Sequence, residues 1–98
     1  MVTAIVLIRA ERGKTSSLAQ DLLEIPEVAE VFSVTGEYDL IAIIRAKEYA
    51  DMAEIVPNRL QALDGMERTE TLMAFQCYSR HDLDRLFSIG LEEPATEA

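Results

Sequence analysis

Apolar residues along this chain change their period several times, and each change marks an element. Val2 to Arg9 is a near-continuous apolar run rich in β-branched residues and ended by charge. That pattern predicts a strand buried on both faces. Arg12-Gly13-Lys14 reads as a loop, with Thr15 or Ser16 placed to cap a helix. Leu18, Leu22 and Ile25 then recur at helical spacing with Ala19 and Leu23 beside them. Pro26 stops that helix. Val28–Thr35 and Leu40–Ala46 predict the second and third strands. A second helix is expected from about Lys47 to Leu63, with Tyr49, Met52, Ala53, Val56, Leu60 and Leu63 on one face. Pro57 removes a backbone donor inside it and predicts a kink or a restart. Asp64-Gly65 closes the helix, and Glu67 to Tyr78 predicts the fourth strand. Its alternation sends Thr69, Thr71, Met73, Phe75 and Cys77 to one side, and Arg68, Glu70, Leu72, Ala74, Gln76 and Tyr78 to the other.

The two halves echo one another at an offset of 38, which sets Ala4 on Ala42, Ile5 on Ile43, Leu22 on Leu60, Ile25 on Leu63 and Val28 on Met66. Two strand–helix–strand units joined by a hairpin make the α+β, ferredoxin-like βαββαβ arrangement. Right-handed crossovers then place both helices on one face of the antiparallel sheet. Apolar side chains on the other face need a cover, most simply a second copy, so a homodimer or larger ring is expected. After this unit of residues 1–78, Ser79-Arg80-His81-Asp82 has the spacing of a capping box, followed by Leu83, Leu86, Phe87, Ile89 and Leu91. This helical extension of residues 79–91 needs somewhere to pack, on its own sheet or on a neighbouring subunit. Residues 92–98 are acidic, contain Pro94, and read as a disordered tail.

Composition narrows the function classes. Eighteen acidic against nine basic residues give a net charge of −9 over 98 residues. A field of that sign repels phosphate backbones and argues against direct nucleic-acid binding. Cys77 is the single cysteine, so no internal disulfide can form, which suits a reducing cytoplasm. The first apolar run is too short to span a bilayer and lacks a basic flank.

Several chemical motifs fail on inspection. Gly13-Lys14-Thr15 resembles the end of a phosphate loop, but the required earlier glycine is Ile8. His81 is the lone histidine and has no cysteine or histidine neighbours that would complete a metal site. Cys77 reads as a small core residue. No nucleophile–histidine constellation can be assigned, and Glu11, Glu24 and Glu48 read as solvated surface. No catalytic residue, metal or cofactor is therefore expected.

Gly36-Glu37-Tyr38-Asp39 stands apart. A hairpin turn alone accounts for a glycine at positive φ and an aspartate bonding local backbone. The same tip also suits a zwitterion: bare N–H groups at Gly36 for a carboxylate, Asp39 for an ammonium and Tyr38 as a wall. Thr69 and Thr71 add hydroxyls on the fourth strand.

Three stretches resemble the effector-binding domain of the Lrp/AsnC family, also called RAM (regulation of amino acid metabolism). They are Ile25-Pro26-Glu27-Val28, Val34-Thr35-Gly36-Glu37-Tyr38-Asp39-Leu40, and Leu63-Asp64-Gly65-Met66-Glu67-Arg68-Thr69-Glu70-Thr71. The likeness covers roughly residues 1–78, and its most specific parts are the glycine-x-tyrosine-aspartate hairpin and the threonine-bearing last strand. It implies a βαββαβ fold, a dimer formed through the sheets, assembly into a higher ring, and amino-acid effectors bound between subunits near the hairpin. Gly36, Tyr38 and Asp39 would line that pocket, with Thr69 and Thr71 nearby. Family regulators carry a helix-turn-helix domain ahead of this one, whereas this chain starts at the first strand and looks like a stand-alone version. The expectation is a cytoplasmic sensor of an amino acid or derivative, able to mix with full-length regulators of the family. A ligand-free assembly module is the alternative. A small ferredoxin-like enzyme is a third, although Glu11 opposes an acylphosphatase cradle after the first strand, and only His81 and Asp39 offer chemistry.

Overall fold

A computed structural model of the chain describes residues 1–80. The elements are β1 (Val2–Ala10), α1 (Thr15–Leu22), β2 (Val28–Ser33), β3 (Leu40–Ala46), α2 (Tyr49–Glu54) and β4 (Met66–Ala74), with α2 running on as a π-helical turn over Ile55–Leu60. The strands form one antiparallel sheet in the order β2-β3-β1-β4. This is the ferredoxin-like βαββαβ fold. Both helices pack on one face of the sheet.

The central pair explains the core. Ala4 lies opposite Ile44, Val6 opposite Ala42, and Ile8 opposite Leu40. All six are buried on the helix side. Small residues opposite large ones let Leu18, Leu22, Met52, Ile55 and Leu60 descend from the helices and close the layer. The internal repeat is visible here: Ala4 and Ala42, and likewise Leu22 and Leu60, are pairs of fully buried positions.

Five sequence expectations need correction. The second helix does not keep α-helical period to Leu63. It turns π-helical at Ile55, two residues before Pro57, and Ile55 and Leu60, five residues apart, are both buried. A π turn bonds i to i+5, so it keeps Leu60 on the buried side with Ile55; Val56 is half-buried, Ala53 exposed and Tyr49 67 % exposed. The first helix begins at Thr15 with Lys14 as its cap residue, and neither Thr15 nor Ser16 caps it. Leu23 is 55 % exposed rather than part of the buried face. The fourth strand ends at Ala74, opposite Thr3 and one residue short of the start of β1. Phe75 to Tyr78 are consequently exposed, and Cys77 is a surface residue, not a core one. The helical extension expected over 79–91 and the tail 92–98 lie, beyond Arg80, outside the described residues.

The sheet face away from the helices carries Ile5, Leu7, Phe32, Ile41, Ile43 and Leu72, by the alternation of burial and the strand register. A concavity of about 510 Å³ opens on it, with Ile5, Phe32, Ile43 and Phe75 in its wall. Phe32 is 50 % and Leu72 44 % exposed. A contiguous patch of this kind marks an interaction surface.

At the opposite end of β1 the loops lock together. Glu11 N–H donates to the Gly65 carbonyl at 2.7 Å, and Lys14 Nζ meets Asp64 Oδ2 at 2.8 Å. Gly65 has φ of 92°, and a Cβ there would sit 3.0 Å from Lys14 Cβ. Left-handed backbone costs a residue with a side chain about 1–2 kcal/mol. Gly65→Ala is therefore expected to lose at least that much in urea unfolding, and an unchanged midpoint would show that the loops are not locked.

The ion pair titrates in a defined sense. The hydrogen bond from Lys14, and then its charge, hold the Asp64 carboxyl below its ordinary 3.8. The same bond and charge of Asp64 hold the Lys14 ammonium above 10.5. Asp64 stabilises the fold above its unfolded value, and that contribution is lost as pH falls through the lower folded value. Lys14 contributes below its unfolded value and loses it as pH rises through the higher folded value. The pair thus persists across the neutral range, at the small worth of exposed pairs. Asp64→Asn should return the Lys14 titration, followed by NMR, toward 10.5; a Lys14 value that stays put would refute the contact.

Candidate functional site

The hairpin between β2 and β3 delivers the first group of residues. Val34 N–H donates to the Asp39 carbonyl at 3.0 Å, closing the turn. Gly36 at the tip has φ of 112°, exposed, with nothing within 4 Å of where a Cβ would stand. Its backbone conformation, not crowding, calls for glycine.

Asp39 extends the β1–β3 ladder by one rung. Its N–H donates to the Ile8 carbonyl at 2.8 Å. The next donor on that side of β1, Ala10 N–H, gives its hydrogen bond to Asp39 Oδ2 at 2.9 Å. Pairing of β1 with β4 shifts register between Arg9 and Ala10, so the strand end is irregular on its other side too. The carboxylate thereby satisfies a backbone group that no strand can reach. One Asp39 oxygen is committed to the fold before any ligand arrives.

Tyr38 reaches across β1 to β4. Its hydroxyl donates to Glu70 Oε1 at 2.9 Å and accepts from Arg68 Nη2 at 3.0 Å. The Arg68 guanidinium carbon stands 5.4 Å from the ring centroid, within cation–π range. Arg68 and Glu70 belong to the helix-free face, so Tyr38 lies over that face and fixes the hairpin against the distant edge strand.

Thr69 and Thr71 point to the other side of the same strand. Thr69 Oγ1 accepts from Gln61 Nε2 at 3.1 Å. Thr71 borders a slot of about 150 Å³ between α2 and β4, whose wall is Tyr49, Met52, Ala53, Val56, Pro57 and Met73. The Thr71 hydroxyl has no hydrogen-bond partner among the described residues.

The five sequence-predicted positions therefore fall into two groups. Gly36, Tyr38 and Asp39 sit at the hairpin and over the helix-free face. Thr69 and Thr71 sit on the helix face of β4. The slot that Thr71 borders contains no hairpin residue, and the concavity on the opposite face contains neither of these threonines. The partners Arg68, Glu70, Gln61 and the Ala10 amide were not foreseen. Alternation put Arg68 and Glu70 on one side of β4, but nothing in the sequence says that a tyrosine thirty positions earlier crosses to meet them. The capping of α2 was legible and was missed: Glu48 and Asp51, three apart, bond each other's backbone N–H groups as an acidic capping box.

Among the described residues no cluster of three or more histidine, cysteine or acidic side chains could hold a metal, and no helix is long and apolar enough to cross a membrane.

Comparison with known proteins bears out the fold. A family model, the Lrp/AsnC ligand binding domain, matches residues 3–83. The crystal structure of TTHA0845 from Thermus thermophilus is 46 % identical, covers 82 % of this chain and 100 % of its own, and superposes with a TM-score of 0.76. The HTH-type transcriptional regulator FL11 of Pyrococcus furiosus is 30 % identical over 77 residues, which is 79 % of this chain and 50 % of that protein. The chain thus spans about half the length of the curated relatives it matches. A transcriptional regulator from Neisseria meningitidis, NMB0573, solved as an L-Met complex, shares the fold at 17 % identity and a TM-score of 0.69, over 76 % of this chain and 50 % of its own. With the family model covering most of its length and the fold and hairpin motif in place, this chain belongs to the Lrp/AsnC family, and residues 3–83 are a ligand-binding domain of that family.

Proposed function

We propose that this chain is a small-molecule sensing and oligomerisation module of transcriptional or metabolic regulation, that its effector is an amino acid or a derivative, and that the effector site is completed between two copies. One observation carries the proposal: the hairpin residues and the threonines occupy opposite faces of the sheet, so one ligand can touch both groups only if they come from different chains. A ligand held in that way stabilises the assembly it bridges, which couples sensing to oligomeric state. The neighbour holding L-Met supports an amino-acid ligand for this fold. The net charge of −9 argues that the module does not grip DNA itself. Its output in the cytoplasm then comes through a change of assembly or through mixing with full-length family regulators.

The helix-free face supplies the dimer surface in this proposal, with pairs of dimers meeting to form a ring. Ile43→Lys places a charge at the centre of the patch and is expected to reduce the assembly to a smaller species by analytical ultracentrifugation. An undiminished assembly would move the dimer contact elsewhere. Sensing is tested by titration calorimetry and thermal shift with the twenty amino acids and their derivatives. Heat and a raised midpoint with one chemical class are expected, and silence from all of them contradicts the sensor.

A second function is favoured by one specific finding. Asp39 Oδ2 and the Tyr38 hydroxyl are both engaged within the chain, as they would be in an assembly module without a ligand. Silent calorimetry together with a stable oligomer is the outcome that selects it. Catalysis has no comparable support, since the relatives are transcriptional regulators.

A further inference from the structure

We propose that the concavity on the helix-free face is a docking site for the chain's own C-terminal segment, residues 83–91. The inference goes beyond the effector reading above and does not depend on it: it names what covers one end of the apolar face.

The described chain is delivered onto that face. The concavity takes its wall from all four strands, through Ile5, Phe32, Ile43 and Ala74, and then from Phe75 and Cys77, which follow β4. A stretch that leaves the edge strand β4 and still shares a wall with Phe32, on the far edge strand β2, turns over the face. Phe75 is 97 % exposed there. Together with Ile5, Phe32 and Ile43 it forms an apolar surface whose removal from water is favourable.

The continuing sequence matches what the surface needs. The chain runs on for eighteen residues past Arg80, and the family domain ends at residue 83. In this stretch Leu83, Leu86, Phe87 and Leu91 recur at i, i+3, i+4 and i+8, the spacing of one helical face. Arg85, Ser88 and Ile89 fall on the opposite side. A helix of nine residues is too short to stand alone in water, so its apolar stripe needs a surface to form against.

Reach and length both fit. Leu83 stands six residues after Cys77, and such a stretch spans up to about 20 Å when extended. A helix over residues 83–91 is about 13 Å long, and four strands span about 14 Å from β2 to β4. The segment can therefore lie across the sheet from edge to edge. Tethering favours it over a second copy. A short link gives an effective concentration in the millimolar range, so the segment takes the concavity before a free chain at micromolar concentration does. The part of the face at Leu7 and Ile41, beyond the concavity, stays open to a second copy.

The test reads Cys77, the single cysteine, which lies in the concavity wall and is covered when the segment docks. Its alkylation by N-ethylmaleimide is followed in the native full chain and in two variants. Leu86→Asp with Phe87→Asp puts charge on the apolar stripe, and Ser88→Asp puts charge on the opposite side. The native chain and Ser88→Asp should react at least about tenfold more slowly than the double variant. Their protection should persist over about a hundredfold dilution, because a tether does not dilute. By NMR the methyl signals of Ile5 and Ile43 should shift in the double variant, while those of Leu18 and Leu22, buried on the helix side, stay in place. Equal Cys77 reactivity in the native chain and the double variant, or Ile5 and Ile43 signals that do not move, overturns the docking. Protection that fades on dilution assigns the concavity to a second copy and overturns it as well. No amino acid is present in this experiment, so its failure leaves the sensor standing.

Discussion

Ile55→Ala is expected to lower the stability of the folded chain by about 2–5 kcal/mol, while Val56→Ala produces a clearly smaller loss. Ile55 is 1 % exposed and belongs to the largest buried side chains, beside Leu60 at 0 %. Val56 is half-buried and faces the slot. The contrast follows from that burial. At α-helical period Ile55 and Val56, three and four residues after buried Met52, both stay near the inward side, whereas Leu60, five residues after Ile55, would turn away from it. Pro57 cannot donate a backbone hydrogen bond, and its ring crowds the carbonyl four residues earlier. The widened π turn over Ile55–Leu60 accommodates the proline and brings Leu60 onto the buried side with Ile55. Urea unfolding of the two variants, compared at equal slope, measures the difference. Equal losses, or a larger one at Val56, would contradict the burial of Ile55.

Asp39→Ala is the second large effect, at about 1–3 kcal/mol. Its cause is an amide left without a partner, not a lost surface contact. Ala10 is 7 % exposed, and without the carboxylate its N–H loses its partner at the end of the strand. Asp39→Asn keeps an acceptor oxygen at the same place and should recover most of the loss in thermal or urea unfolding. Equal destabilisation by both substitutions would mean that charge, not the hydrogen bond, is what the position supplies. This role also changes how Asp39 can be used as a probe. A ligand-binding defect in Asp39→Ala is confounded by a loosened strand end, so Tyr38 is the better handle on the hairpin.

Much of the fold was legible because it follows from local pattern. The buried run at Val2–Arg9, the spacing of Leu18 and Leu22, and the repeat that sets Ala4 on Ala42 all report burial directly. What escaped depended on contacts between distant segments. The end of β4 is set by its pairing with β1, which stops at Thr3 and Ala74, so alternation through Tyr78 carried no information about it. Cys77 looked like a core position for the same reason. The π turn escaped because Pro57 announces trouble without saying which residues will move inward. At the site, the residue types were recognised, and their arrangement was not. Tyr38 and Thr71 are each readable as candidates, but that they face opposite sides of β4 appears only when the hairpin is seen crossing to Arg68 and Glu70. This opposition turns a set of five candidates into two half-sites.

The central claim, that the effector is bound by a hairpin from one copy and a β4 slot from another, is tested most directly by complementation. Tyr38→Ala disables the hairpin half and Thr71→Val the β4 half, and each variant alone should bind amino acid at least about tenfold more weakly than the native chain. Mixed and allowed to exchange subunits, the two variants form some boundaries in which the intact hairpin of one meets the intact slot of the other. Calorimetry on the mixture should recover native-affinity binding at a fraction of the sites. No recovery in mixtures whose subunits demonstrably exchange, or native binding by either variant alone, would contradict a site shared between chains.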